Sequence, residues 1–528
     1  MHGDHSFGVL DWVALGSYGF VLLLSGLWLG RKKQLGTEDY FLGGRSMPAW
    51  AVALSILATS LSAATFIGAP EQAYRGNWTY LSVNIGAILG AIFVALVLVP
   101  AFYRHRVATV YELLELRFGA NARVAASWTF MIGRVFASGA RIFIAALPLS
   151  LILFGDLEPS HLSLAIAALT VVAVLYTLAG GVRSVIWSDV IQTIVFVGAA
   201  VVAALLLLHK IPLPVGEIIA ELGSSASGAA SKLTVIDPGW DLSKSGLGFD
   251  PSSYYTLLTA LTGLTLLNIG AYGTDQDLVQ RVLTCRSAAK GSRSVIAAIL
   301  GSIPVIALFL AIGSLLYIFY QRPDLMGTAA PAYTVDDSRQ IFLSFILAEM
   351  PAGMPGLMIA GLFAAGLSSL NSALNAMASS FVNDWYRAVF PDRGERHYLQ
   401  AGRFAVVGWG VVLGGFAMAC VHWQQAAEQS LIDFALSVMA FAYSGLVAVF
   451  LTAVLTTRGN GRSAMLALAA GFGAVTLLQP QIWSVWAPAA WQSLKMSFPW
   501  QLLIATCLAM AVCCLGRYQG RNQGRKAI

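Results

Sequence analysis

The chain has 528 residues, 57% of them apolar and only 11% charged, with a mean hydropathy of +0.72. Soluble domains carry about 25% charged residues, so this composition excludes a water-soluble globular protein. The net charge of +6 does not point to nucleic acid, because the basic residues fall in short loops between apolar segments. The five cysteines, Cys285, Cys420, Cys507, Cys513 and Cys514, show no CxxC or Cys/His spacing. They read as small apolar filler rather than a disulfide framework or a metal site.

A membrane span needs about 20 apolar residues. Thirteen such segments are predicted, near 10–30, 49–70, 78–101, 125–152, 161–179, 184–208, 254–277, 293–320, 340–383, 402–422, 430–456, 463–480 and 498–516. The N-terminus lacks a basic stretch and a cleavage site, so the first segment is expected to be a retained helix. Segment 340–383 is long enough to include an interfacial turn or a second short helix. With the N-terminus outside, 23 basic residues, Arg281 among them, face the inside and seven the outside, while Arg134 and Arg141 lie within a span. The positive-inside rule therefore gives an outside N-terminus and a cytoplasmic C-terminus, with thirteen spans. The longest outside loop, 210–252, is rich in Gly, Ser, Pro and Asp and forms no separate domain. The tail RYQGRNQGRKAI is basic, polar and cytoplasmic.

In chain order, the second segment is the first unusual one. WAVALSILATSLSAATFIGAP starts as an apolar helix, then meets Thr59, Ser60, Ser62 and Thr65 and ends at Gly68 and Pro70. A helix can unwind in the bilayer where hydroxyls and a cavity satisfy its backbone, and unwinding frees carbonyls at mid-membrane depth. The alternative is an unbroken helix whose hydroxyls bond back to preceding carbonyls. In the fourth span Arg134 and Arg141 are seven residues apart and share a face. Either could hold a substrate carboxylate through its bidentate fork, or snorkel or form an internal ion pair. Asp189, within VIWSDVIQT, is an ionisable group in a span and so a functional candidate; the other reading is a cap on its helix's first turn. NIGAYGTDQDLVQR (268–281) reads as a second broken helix, or as a helix end whose Asp275 and Asp277 are solvated. In AAGLSSLNS, Ala365, Ser368, Ser369 and Ser372 share one helical face. Two hydroxyls with neighbouring carbonyls make a neutral, oxygen-only site, which suits Na⁺; Ca²⁺ or Mg²⁺ would call for carboxylates.

DYFLGGR (39–45), YTLAGGVRSVIWSDVIQT (176–193), QDLVQR (276–281) and GLFAAGLSSLNS (361–372) together resemble the sodium/solute symporter family. That resemblance implies an all-α membrane protein with a LeuT-type core of two inverted five-helix repeats and peripheral helices at both ends. It divides the chain into an N-terminal helix and loop (1–48), a first repeat (49–209), the outside loop (210–252), a second repeat (253–457) and C-terminal helices with the tail (458–528). It implies a main sodium site from the carbonyls of Ala58, Leu61 and Ala365 with the hydroxyls of Ser368 and Ser369. ATSLSAATF (58–66) and AYRGNWTY (73–80) are similar to stretches of the bacterial sodium/sialic acid symporters. By that likeness Ser60, Ser62, Thr65, Asn84, Asn268 and Tyr272 would meet the solute, and Asp189, Ser368, Asn371 and Ser372 would form a second sodium site or an exit path. Asn371 stands where that pattern has serine. Ala137 stands at the carboxylate-binding arginine's position, with Arg134 and Arg141 about a turn to either side; Arg141 is taken as the substrate-binding candidate.

These readings converge on a carrier, not an enzyme, that couples inward sodium flux to uptake of a small polar solute, sialic acid or another sugar or organic anion. Its expected partners are the solute, one or two sodium ions and the lipid bilayer, with no organic cofactor, no nucleic acid and a monomer sufficient for function. The alternatives are sodium or proton symport of an amino acid or monocarboxylate, and a channel or solute sensor on the same core. A membrane-embedded enzyme would need intramembrane histidine ligands or a Lys/Glu chain, and the seven histidines sit mostly at termini or loops.

Overall fold

The computed structural model describes residues 7–30, 36–224, 231–240, 250–331, 333, 335, 337–426, 430–488, 492 and 494–517. Residues 225–230 and 241–249 of the 210–252 loop and the basic tail from 518 lie outside the described residues. In lipid every backbone polar group must find its partner within the segment, so apolar runs of this length fold as helices, and no strand occurs among the described residues.

The helices are α1 (Val9–Gly30), α2 (Ala49–Ser60 and Ala63–Arg75, bent by 60°), α3 (Thr79–Arg104), α4 (Ala120–Phe154), α5 (Pro159–Leu178), α6 (Gly181–Lys210), α7 (Leu257–Thr274), α8 (Ala288–Gln321), α9 (Met354–Val389), α10 (Glu395–Trp423), α11 (Leu431–Ser437 and Ala440–Leu455, bent by 41°), α12 (Gly461–Leu477 and Pro480–Trp486, bent by 84°) and α13 (Phe498–Leu515). Among the described residues, nine of these are long and apolar enough to cross a membrane, the three bent pairs bring the number to twelve, and α1 has a shorter apolar stretch, Val9–Ser25. Each of the thirteen predicted segments coincides with one helix. Segment 340–383 does contain a separate short helix, Ile341–Glu349, ahead of α9.

α9 is the central helix, with 83% of its apolar window buried against 39% for α5. It packs along α6 and against α4 and α2. Two glycines allow the tightest approaches that matter for the site. Gly181 sits at the α5–α6 corner with φ +62, and a Cβ there would come within 2.7 Å of the Tyr40 carbonyl oxygen. Gly313 of α8 faces the second half of α2, Ala63–Arg75, where a Cβ would come within 2.2 Å of the Pro70 carbonyl oxygen. Small residues of this kind let helix backbones close up in a bilayer.

Candidate functional site

The break in α2 is local chemistry. Leu61 (φ −89, ψ 104) and Ser62 (φ −106, ψ −178) are extended. The last turn before them keeps only part of its pairing: the Leu57 carbonyl accepts from the Leu61 amide at 2.9 Å and from Ser60 Oγ at 3.0 Å. The carbonyls that follow have no intrahelical donor, as at any helix end. Ser62 Oγ accepts from the Ala64 amide at 3.3 Å and caps the second half. α7 is interrupted in a comparable way. It widens into a π-helical turn at Gly270–Thr274, passes through extended Asp275 (φ −94, ψ 117) and resumes as the helix Gln276–Leu283, capped by the Asp275 carboxylate. Wide turns of this type are frequent at functional sites.

The two hydroxyl clusters meet. Ser369 Oγ of α9 donates to the Thr59 carbonyl at 3.3 Å, across 310 positions of sequence, so the end of the first α2 half lies against the α9 hydroxyl face. Next to it, Ser368 Oγ donates to Asp189 Oδ1 at 2.6 Å. The donor set is hydroxyl and carbonyl oxygen with one carboxylate behind it, which fits a sodium ion as cargo.

Behind this junction runs a chain of buried charges. Asp189 accepts from Ser55 and from Arg281, whose Nη2 lies 3.2 Å from Oδ2. Arg281 also donates to Ser55 Oγ at 2.7 Å and to Asp277 Oδ1 at 2.9 Å. Asp277 Oδ2 lies 3.0 Å from Arg134 Nη1, and Arg134 in turn pairs with Asp275, which accepts from the Tyr443 hydroxyl at 2.5 Å. All five charged side chains are at most 3% exposed. Three carboxylates face two guanidiniums, so the chain carries one negative charge in excess.

A cavity of about 100 Å³ opens beside the α2 break. Its wall includes Thr59, Ser60, Leu61 and Thr65 of α2, Tyr80 and Asn84 of α3, Arg134 and Arg141 of α4, Asn268 and Tyr272 of α7, Ser302 of α8, and Met439 and Tyr443 of α11. The Asn84 amide donates to the Leu81 carbonyl at 3.0 Å and the Asn268 amide to the Leu264 carbonyl at 2.7 Å, which fixes both side chains in the wall. Arg141 is buried and differs from Arg134: its polar contact is Met439 Sδ at 3.8 Å, its Nε has no hydrogen-bond partner, and no carboxylate among the described residues pairs with it. An unpaired buried guanidinium is costly and is suited to an anionic ligand. A larger cavity of about 730 Å³ lies away from this cluster, at the face carrying Arg45, Arg106 and Arg123, and is crossed by ion pairs such as Arg123–Glu115 and Arg387–Glu395 (2.8 Å each).

Several sequence expectations are relocated. Ser62, expected to meet the solute, is outside the cavity wall, because the nearest unpaired amide claims its hydroxyl. Asn371 Oδ1 accepts from Thr177 at 3.4 Å, and Ser372 Oγ donates to the Ser369 carbonyl at 3.0 Å, so of the proposed second group only Ser368 touches Asp189. Asp189 is the hub of a buried ion pair instead of a first-turn cap. Arg134 takes the internal ion-pair reading. Asp275 and Asp277 are buried rather than solvated, and Arg281, counted among the loop charges, is buried with them. The sequence missed Arg281, Tyr443, Met439 and Ser55. Only the Asp277–Arg281 pair carried a signal, its i, i+4 spacing.

A sequence profile of the sodium:solute symporter family matches residues 40–471. The chain belongs to that family. Two relatives are the sodium/sialic acid symporter SiaT of Proteus mirabilis, 30% identical over 475 residues (88% of each chain), and the sodium/sialic acid symporter NanT of Aliivibrio fischeri, 29% identical over 473 residues (89% of this chain and 88% of that one). Among solved structures, a Na⁺-coupled sialic acid symporter in a substrate-bound outward-open state matches with a TM-score of 0.79 at 24% identity, over 97% of this chain and 98% of that one. A nucleobase-cation-symport-1 transporter in a closed conformation matches with a TM-score of 0.54 at 16% identity, over 92% and 95%. These two matches establish the fold, the LeuT-type core that the resemblance implied. As a family member this symporter takes sodium ions and a solute as its partners.

Proposed function

We propose that this symporter imports a carboxylated polar solute, sialic acid in the first place, together with one sodium ion, by alternating access. The observation that carries the reading is Arg141, a buried cation without a carboxylate, in a cavity that shares Thr59 with the Ser369 junction. In this assignment the sodium ion binds among the Ala58, Leu61 and Ala365 carbonyls and the Ser368 and Ser369 hydroxyls. Arg141 holds the solute carboxylate, and Ser60, Thr65, Asn84, Asn268 and Tyr272 bind its hydroxyl and amide groups. Sialic acid, for which the two relatives are named, is a sugar with a carboxylate and several hydroxyls and matches that wall. At about 100 Å³ the cavity is smaller than the roughly 300–1,000 Å³ of ligand pockets, so a sugar acid enters only with the α2 halves further apart. The charge distribution supports an outside N-terminus.

The test is uptake into proteoliposomes. With an inward Na⁺ gradient, labelled sialic acid should accumulate above its outside concentration, and replacing Na⁺ by choline at fixed pH should abolish this. Accumulation in choline, or preferential competition by short monocarboxylates or neutral amino acids, would replace the coupling ion or the solute class respectively.

A further inference from the structure

Each buried guanidinium behind the site touches two carboxylates: Arg281 holds Asp189 and Asp277, and Arg134 holds Asp277 and Asp275. The groups form a single file with a different ligand at each end. At one end Ser368 belongs both to Asp189 and to the hydroxyl cluster; at the other, Arg134 and Tyr443 stand in the cavity wall. One of the four joints is not a hydrogen bond. Asp277 Oδ2 is 3.0 Å from Arg134 Nη1 but outside hydrogen-bond alignment, and Arg134 Nε has no partner. Buried ion pairs are poor stabilisers compared with apolar packing, so four of them in series call for another role.

We propose that this file, with Arg134 as its positioning residue, is what makes cation and solute binding sense each other, an inference that rests on the sodium-symport reading above. A sodium ion at the hydroxyl cluster competes with Arg281 for Asp189. Arg281 then leans on Asp277, Asp277 loosens its hold on Arg134, and Arg134 with the Tyr443 hydroxyl resettles about Asp275 at the cavity. Solute binding at that wall drives the same shift in reverse order, as linkage requires.

The experiment measures solute affinity at low and saturating sodium, and sodium affinity with and without sialic acid, on the purified full-length protein in nanodiscs. In the wild type each ligand should tighten the other by the same factor, at least about fivefold, the lower end of ordinary coupling. The double variant Arg134→Gln/Asp275→Asn removes one charge of each sign and keeps the net charge. It should bring that factor below about twofold, while sodium binding alone changes little. A purely structural role would lower the melting temperature and leave the factor intact, and a folded double variant with wild-type coupling overturns the proposal. Should that variant not fold, Arg281→Lys keeps the charge but loses the fork that spans two carboxylates. The same fall in coupling is expected there, and unchanged coupling again overturns the file. A wild type whose solute affinity ignores sodium would instead refute the symport reading.

Discussion

In the proposed assignment Ser369 and Arg141 act on opposite charges, and their removal should be read on different ligands. Ser369→Ala deletes one neutral ligand and the hydroxyl that ties α9 to the Thr59 carbonyl. One hydrogen bond is worth about 0.5–1.5 kcal/mol net, so the sodium half-saturation of uptake should rise roughly 2- to 12-fold with the solute KM at saturating sodium nearly unchanged. Arg141→Ala should raise the solute KM by roughly 10- to 150-fold, because bonds to a charged group are worth about 1.5–3 kcal/mol; Arg141→Lys should recover part of that loss. Asp189→Asn takes from Arg281 one of its two carboxylates and leaves two carboxylates for two guanidiniums; the lost charge-assisted bond is worth about 1.5–3 kcal/mol, so the purified protein should melt earlier even without ligand. The serines of α9 and Asp189 were legible because hydroxyls at helical spacing and a carboxylate in an apolar segment are local signals. Arg281 was not, since its main partner lies 92 positions away and a basic residue after a span reads as a loop charge. Ser62 shows the same limit: its residue type says that it will bond, and only the position of the break says to which amide.

Both interrupted helices could be read from their Ser/Thr and Gly/Pro content, while the direction in which each bends required tertiary packing. The second half of α2 lies against α8 at the contact of Gly313 with the Pro70 carbonyl. Gly313→Ala pushes that half-helix away from α8 without touching either ligand. Uptake rate at saturating ligand should fall severalfold while equilibrium sodium and solute affinities stay within about twofold, which stopped-flow binding alongside uptake will separate. At the α5–α6 corner, Gly181→Ala faces both a positive φ, worth about 1–3 kcal/mol, and the Tyr40 carbonyl at 2.7 Å. Its expected effect is a lower yield of folded protein and an earlier melt.

For the whole molecule, hydropathy alone located the thirteen helices, because a bilayer leaves little choice of secondary structure. The pairing of the hydroxyl clusters came only from the family likeness, and the charged file came from neither. The charges also bear on stoichiometry. The file has one negative charge in excess, and Arg141 has one positive charge without a carboxylate. One sodium ion and one carboxylate satisfy both, and the cycle then moves no net charge. A potential of 100 mV is worth about 2.3 kcal/mol per charge, roughly 50-fold in accumulation. Imposing such a potential with potassium and valinomycin should therefore leave the accumulation of a mono-anionic solute within about twofold, and a rise near 50-fold would assign a second sodium ion.

In the proposed assignment the unpartnered Arg141 thus guards against slippage. Counting the file and Arg141, the empty site and the fully loaded site both balance their charge, whereas a site holding sodium alone or solute alone is left with one unit unbalanced in a low-dielectric interior. Closing around such a half-filled site costs several kcal/mol, so the carrier that crosses readily is the one bearing both passengers or neither, and the sodium gradient does not drain through it unaccompanied.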